Sequence, residues 1–320
     1  MRRFFALILA LTLALGLASC GLGGEGGGEN GYPEAEADPE YPVFVGDALV
    51  EFRPTRVVSL APSLTEKIYD LGHGGRLVGI SDHQGDYPPS LALVPPFGLA
   101  TMPNIQGILS VNPHVVFSVS ELPAPAMAAL EDAGIPLVIL PSYAHSMAEL
   151  EAIYLGLSMA LDGRTTGRLI GERFLRELNR QIDEIAASIA YYPPVSAVYL
   201  RALDFTVATG DTLEGQLMER IGIVNIAADQ HDWVFDPEHA ASPEGQALLG
   251  TLDIIFFAPD PDPLTGDIDT EALGQSTFWQ GVTAYYVPLD SNIFERQSLR
   301  MLGQLELMAG AKQMHFYESD

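Results

Sequence analysis

Basic side chains are scarce in this sequence. Its 320 residues hold 16 Lys and Arg against 42 Asp and Glu, a formal net charge of −26, and only Lys67 and Lys312 are lysines. A surface of that sign repels a phosphate backbone, which is bound by cations that displace its counterions, so a broad nucleic-acid role is excluded. Cys20 is the one cysteine, which rules out a disulfide scaffold and any centre held by several thiolates. No G-x-x-x-x-G-K-[S/T] loop, no G-x-S-x-G, no G-x-G-x-x-G behind a candidate strand and no H-x-H or H-E-x-x-H occurs. A phosphate cradle, a nucleophile elbow and a compact histidine metal site are therefore not written here. What is present is apolar: 48% hydrophobic residues, 18% charged and a mean hydropathy of +0.16. That is ample for a buried core, and the length suits two packing units.

The first segment is an address. Met1-Arg2-Arg3 is positive, the run from Phe4 to Gly16 is apolar, and Leu17-Ala18-Ser19-Cys20 closes it with small residues. The run falls short of the roughly 20 residues a spanning helix needs and has the layout of a secretory signal. The L-A-S-C end resembles the bacterial lipobox, which implies cleavage after residue 19 and a lipid on Cys20. Seven glycines follow within residues 21–31, then an acidic, proline-punctuated stretch. We read residues 20–54 as a lipid-anchored flexible tether, about twenty residues of which reach roughly 25 Å as random coil.

From residue 55 short apolar runs alternate with helical patterns, which argues for α/β lobes built on parallel or mixed sheets. Strands are expected at 57–60, 77–80, 115–119 and 137–140, with a helix after Pro62 and another around 126–133. Ser63-Leu64-Thr65-Glu66 has the S-x-x-E form of a capping box for the first, and Gly72 is placed to end it. Helices are expected over 146–161 and 165–190, broken at Asp162-Gly163. In the second of these Leu169, Phe174, Leu178, Ile182, Ile185 and Ile189 share one face. It spans roughly 39 Å and is stopped by Tyr191-Tyr192-Pro193-Pro194. Strands then recur at 195–200, 223–227, 254–257 and 285–289, with a helix over 213–221 and a closing helix over 295–311. LEDAGIPLVIL echoes MERIGIVNIA, and VNPHVVFSVS echoes TLDIIFFAPD. The fold class is α/β: two Rossmann-like lobes, 55–145 and 193–320, joined through a helical segment, 146–192, that contains one long helix. A ligand cleft is expected between the lobes.

RVVSLAPSLTEKIYDLG, VGISDHQGDYPP, NIQGILSVNPHVVF, AGIPLVIL and NIFERQSLRMLGQLELMAG, in that order over about residues 55–312, resemble the substrate-binding proteins of ABC importers for cobalamin, haem and ferric siderophores. Within that family the cobalamin binders come nearest. The resemblance implies two lobes on a single interdomain helix, little hinge motion, and a metal chelate or macrocycle held between the lobes. It also implies delivery to a membrane permease driven by a separate ATPase. Cleft contacts map by resemblance onto Pro62, Ser63, Gln84, Tyr87 and Met102 in the first lobe. In the second they map onto Phe205, Trp233 and Asn292. Gln84, Ala100 and Ile293 stand where the cobalamin binder has aromatic residues, so this cleft is expected to be less aromatic. The family places one glutamate per lobe, eight residues before the aspartate that opens a strand, to meet arginines of the permease. In the first lobe that position is Gln106, before His114. In the second, Glu244 adjoins the counted position, Gly245.

Other readings come from the residues themselves. Arg201 follows a strand and reaches for a ligand carboxylate, or forms a surface ion pair. The segment from Asp229 to His239 is the densest polar stretch. Trp233 within it stacks on ligand and His231 approaches a metal centre, or the loop is solvated and Trp233 covers a sheet edge. The seven histidines are scattered, which disfavours free-metal capture. The acidic run Asp260, Asp262, Asp267, Asp269 lacks the spacing of a calcium loop. No cofactor and no catalysis are expected, and any metal arrives within the ligand. A surface lipoprotein without a transport role is the alternative class.

Overall fold

The inner strands of both sheets are buried on both faces, as parallel strands covered by helices on both sides are. The computed structural model describes residues 38–82, 87–202, 204–257 and 282–319. Cys20 and the leader, His83, Gln84, the acidic run at 260–269 and Trp279 lie outside them. A compact unit runs from Asp38 to Asp320.

The chain opens with an antiparallel hairpin, β1 (Val43–Val45) and β2 (Ala48–Val50). It continues through β3 (Val57–Ser59), α1 (Pro62–Asp70), β4 (Leu77–Ile80) and a small hairpin, β5 (Gly98–Leu99) with β6 (Met102–Pro103). The helix α2 (Ile105–Ser110), β7 (Val115–Ser118), α3 (Ala124–Asp132) and β8 (Leu137–Ile139) complete the first lobe. Its sheet has the order β4-β3-β7-β8, all parallel. Two long helices, α4 (Met147–Asp162) and α5 (Arg164–Ile189), lead on to β9 (Ser196–Leu200), α6 (Leu213–Arg220) and β10 (Val224–Asn225). Then come α7 (Pro237–Ala241), α8 (Pro243–Leu249), β11 (Ile254–Phe257), β12 (Tyr285–Pro288), α9 (Ser291–Phe294) and α10 (Met301–Ser319). The second sheet, β10-β9-β11-β12, repeats the strand order of the first and is also parallel. All four residues of β7 and all four of β11 are buried. These two strands are topological equivalents, so the echo between VNPHVVFSVS and TLDIIFFAPD falls on matching places. The other echo does not: it joins β8, the last strand of one sheet, to β10, the edge strand of the other. A helix–glycine–strand junction reads alike wherever it occurs.

Several expectations are corrected. The tether ends before residue 54, because the chain folds from Asp38 onward and buries Tyr41, Val43, Val45 and Val50. Glu40 is the reason α5 can begin abruptly. Gly163 before it, at φ +95°, has no side chain to cap with. The Glu40 carboxylate instead accepts the backbone N–H groups of Thr165 (2.6 Å) and Thr166 (3.2 Å) and the Thr166 hydroxyl, satisfying donors a helix start leaves open. The Ser63–Glu66 capping box does not form. Helix α1 starts at Pro62 with Ala61 as its uncapped boundary, and Glu66 is engaged elsewhere. Residues 295–300 are not helical, and the closing helix begins at Met301.

The inner face of α5 also differs. Leu169 is 60% exposed, and the buried line runs through Gly167, Gly171, Leu175, Leu178, Ile182, Ile185 and Ile189. At its N-terminal end α5 lies so close to α4 that a Cβ on Gly167 would stand 2.2 Å from the Ser158 carbonyl oxygen. A leucine has no room there, so the two glycines make the contact and Leu169 faces outward. Gly167→Ala is accordingly expected to lose about 1–3 kcal/mol, read as a lowered denaturation midpoint. Gly310→Ala, mid-helix with nothing within 4 Å of the new Cβ, is expected to hold or gain up to about 1 kcal/mol.

Candidate functional site

Open α/β sheets bind ligands beyond the carboxyl ends of their strands, and here the two sets of strand ends meet. From the first lobe come Pro62 and Ser63 after β3, Asp82 after β4, Leu99 of the β5–β6 hairpin, and Ser142, Tyr143 and His145 after β8. The second lobe supplies Arg201 after β9, Trp233 from the loop after β10, and Asn292, Glu295 and Arg296 after β12. Together they line a cavity of about 890 Å³. A neighbouring cavity of about 540 Å³ shares Arg201, Asn292, Glu295 and Arg296.

Trp233 is the central aromatic. Its backbone is left-handed, φ +62°, next to Asp232 at +56°, which a bulky residue adopts only when neighbours hold it. The holding groups are visible: Thr209 Oγ1 accepts the Trp233 N–H at 3.3 Å, the Asp211 carboxylate accepts that of Asp232, and the Trp233 carbonyl accepts the Val207 N–H at 2.9 Å. The indole lies 6.2 Å from the rings of both Tyr143 and Tyr199. The Arg201 guanidinium sits 5.2 Å from the indole centroid and pairs with Glu295 at 2.8 Å. Arg201 is thus the ion pair the sequence left open, but one built into the cleft wall and stacked on Trp233.

Of the residues singled out from sequence, Pro62, Ser63, Arg201, Trp233 and Asn292 converge on the cavity. Tyr87 stands behind it, its hydroxyl 3.1 Å from Ser81 Oγ and its ring 5.7 Å from the Arg296 guanidinium. Met102 is 82% exposed at the hairpin and does not line the cavity, whereas Leu99 opposite it does. Phe205 packs on the second lobe's core. Gln84 lies outside the described residues. Sequence reasoning missed Asp82, Ser142, Tyr143, His145, Glu295 and Arg296. Asp82 comes two residues after the largely buried β4, and Ser142, Tyr143 and His145 lie in the loop after β8, which is a usable signal, while Glu295 and Arg296 were assigned to a helix. His231 is exposed, 3.6 Å from Asp211, and does not line the cavity. Among the described residues no group of three His, Cys, Asp or Glu is placed to hold a metal ion.

Beneath the cleft the segment 296–300 joins the lobes. Glu66 of α1 is buried and accepts from Arg296, from Arg300 at 3.2 Å and from Ser298 at 2.6 Å. Asp70, one turn on, accepts the Leu299 N–H at 2.7 Å and the Tyr154 hydroxyl at 2.8 Å. Lys67 donates to the Arg296 carbonyl. Gln297, at φ +53°, exchanges two hydrogen bonds with the Ala144 backbone and donates to Glu214 at 3.1 Å. Burial pushes Asp70 up to about 6 and Lys67 down to about 8.

Gln106 and Glu244 prove to be positional equivalents. Each is the second residue of its helix, α2 or α8, and each is exposed. The helices are capped alike, by Asn104 onto Gly107 and by Ser242 onto Gly245, both at 3.0 Å. Glu244, not Gly245, is therefore the counterpart of Gln106. No helix among the described residues is long and apolar enough to cross a membrane.

No protein-family model matches the chain. It is similar to an uncharacterised ABC transporter substrate-binding lipoprotein, YvrC, of Bacillus subtilis (strain 168), 25% identical over 95% of this chain and 94% of that one. A cobalamin-binding protein of Halobacterium salinarum is 24% identical over 88% of this chain and 76% of its own. Among solved structures, the apo periplasmic heme-binding protein RhuT of Roseiflexus sp. RS-1 matches with a TM-score of 0.56 and 25% identity. That match covers 81% of this chain and 98% of the other.

The buried ion group under the cleft makes a quantitative expectation. Glu66→Ala removes the carboxylate that Arg296 and Arg300 share, and a buried pair broken on one side typically costs about 3–5 kcal/mol. A denaturation midpoint equal to that of the unsubstituted protein is the contrary result, and Glu66→Gln, which keeps hydrogen-bonding capacity, is expected to lose less.

Proposed function

We propose, for a chain similar to an ABC transporter substrate-binding lipoprotein, a cobalamin-binding protein and a periplasmic heme-binding protein, that it captures a corrinoid and delivers it to a membrane permease. The observation that carries this reading is the interlobe cavity itself. At about 890 Å³ it stands at the upper end of the 300–1,000 Å³ common for small-molecule sites, more than a lone ion or an amino acid occupies. Trp233 and Tyr143 offer ring faces to an apolar macrocycle. Ser63, Ser142 and Asn292 offer hydroxyl and amide partners to polar groups at its rim. The ligand leaves chemically unchanged.

A second reading, haem or a ferric siderophore, is favoured by Tyr143 and His145 standing together in the cavity with Arg201 and Arg296. These are oxygen and nitrogen donors beside cations suited to carboxylates. Docking on the permease is assigned to the exposed pair Gln106 and Glu244. Gln106 is neutral and only hydrogen-bonds, so the charge-assisted contact belongs to Glu244. The leader and Cys20 support an extracytoplasmic protein held to the cell membrane by lipid, and the permease and its ATPase are the partners.

Thermal shift and tryptophan fluorescence with cyanocobalamin, haem and a panel of ferric siderophores test the ligand. A hundredfold excess over Kd adds about 2.7 kcal/mol to the native state. Cyanocobalamin is expected to give a saturable rise that Trp233→Ala weakens at least tenfold. A rise with haem or one siderophore instead selects the second reading, and no response to any of them overturns both. Cys20→Ser is expected to move the protein from the membrane fraction to the soluble one; continued membrane retention removes the lipid anchor.

A further inference from the structure

Solute capture does not by itself require a buried acid under the cleft wall, yet one is there. Glu214, in the first turn of α6, is 1% exposed. One of its carboxyl oxygens accepts the Tyr143 hydroxyl and the other accepts the Gln297 amide at 3.1 Å. Tyr143 comes from the loop after β8, Gln297 from the segment that joins the lobes and Glu214 from the second lobe, so one carboxyl ties three parts of the molecule. Above it the Tyr143 ring meets Trp233 at 6.2 Å and His145 at 5.1 Å. The indole also interacts with the Tyr143 hydroxyl. Trp233 stands on a left-handed backbone, so its orientation depends on such neighbours.

We propose that Glu214 is a positioning residue of the ligand site: through the Tyr143 hydroxyl its buried carboxyl sets the Tyr143–Trp233 wall, and the wall responds to whether that carboxyl carries a proton. The consequence for affinity rests on the cleft being the ligand site, whereas the link from Glu214 to Trp233 stands on the contacts alone. Burial pushes the Glu214 carboxyl up to about 7, opposed by the hydrogen bonds from Tyr143 and Gln297 and reinforced by Glu295. Tyr199 and Lys67 are the other titratable groups that interact with it, and Arg201 faces Trp233 from the far side. An ionised carboxylate holds the hydroxyl in a charge-assisted bond, and a protonated one offers only a neutral acceptor. The sign follows from the raised value. Folding favours the protonated acid, so this group's contribution to stability erodes as pH rises from about 4.5 to about 7. Over the upper part of that window the grip on Tyr143 tightens.

The test uses the full chain carrying Trp279→Phe, which leaves Trp233 as its tryptophan, without ligand, between pH 5.5 and 8.5. Trp233 emission is expected to shift along one titration with a midpoint within about one pH unit of 7. The shift is expected to vanish in both Glu214→Gln and Tyr143→Phe. It is expected to persist in His145→Gln and His231→Gln, which remove the imidazole packed on Tyr143 and the one two residues before Trp233. A flat profile in the parent, or a midpoint that survives both Glu214→Gln and Tyr143→Phe, overturns the proposal. Should Glu214→Gln fail to fold, Tyr143→Phe decides alone, because it keeps the acid and removes only the hydroxyl. With cyanocobalamin at pH 8, either substitution is expected to weaken binding about tenfold. An intact Trp233 titration in a protein that binds none of the ligands tested sinks the functional reading and leaves the positioning role standing.

Discussion

Two lobes that each bury a four-stranded parallel sheet have no intrinsic reason to hold a fixed orientation, and the segment from Arg296 to Arg300 supplies one. It meets α1 through Glu66, Lys67 and Asp70, the loop after β8 through Ala144, and α6 through Glu214. Several of these groups are charged and buried, and a buried charge without its partner is costly. The full set is satisfied only when first lobe, second lobe and closing segment are all in place. That makes the interlobe arrangement cooperative, and it puts the cleft floor, Arg296 included, under the same control as the fold.

The same constraint shapes the electrostatics of the cleft. The chain is strongly acidic, yet two arginines line the cavity, and each is placed by a carboxylate: Arg201 by Glu295 and Arg296 by Glu66. Arg201 is further fixed by its stack on Trp233. A carboxylate that approached Arg201 would compete with Glu295 for the guanidinium.

Beyond the site, the lobes share strand order and the capping of α2 and α8, and they differ in the residues they bring to the cleft. The first lobe presents Pro62 and Ser63 close behind β3 and Asp82 close behind β4. The second presents the Trp233 loop, whose left-handed pair at Asp232 and Trp233 turns the indole toward Tyr143 and Tyr199.

Local chemistry determined much of this molecule. Buried parallel strands must be apolar on both faces, so β3, β4, β7, β9 and β11 were legible within a residue or two. The break at Gly163, the stop at Tyr191-Tyr192-Pro193-Pro194 and the glycine after α1 follow from backbone rules that need no tertiary partner. Of the cleft residues, Arg201 was reachable from its place after a strand, whereas Pro62 and Ser63 came from the family resemblance. Tertiary structure decided what depends on a partner distant in the chain. Glu66 has the spacing of a cap, yet two arginines 230 and 234 residues away claim it. Residues 295–300 have helical periodicity, yet the buried acids of α1 and α6 hold that segment open. Leu169 fits an apolar face, yet the close approach of α4 reserves that face for Gly167 and Gly171. Periodicity and spacing report energies within one element, whereas ion pairing and close packing are energies between elements, and those exist only once the chain has folded.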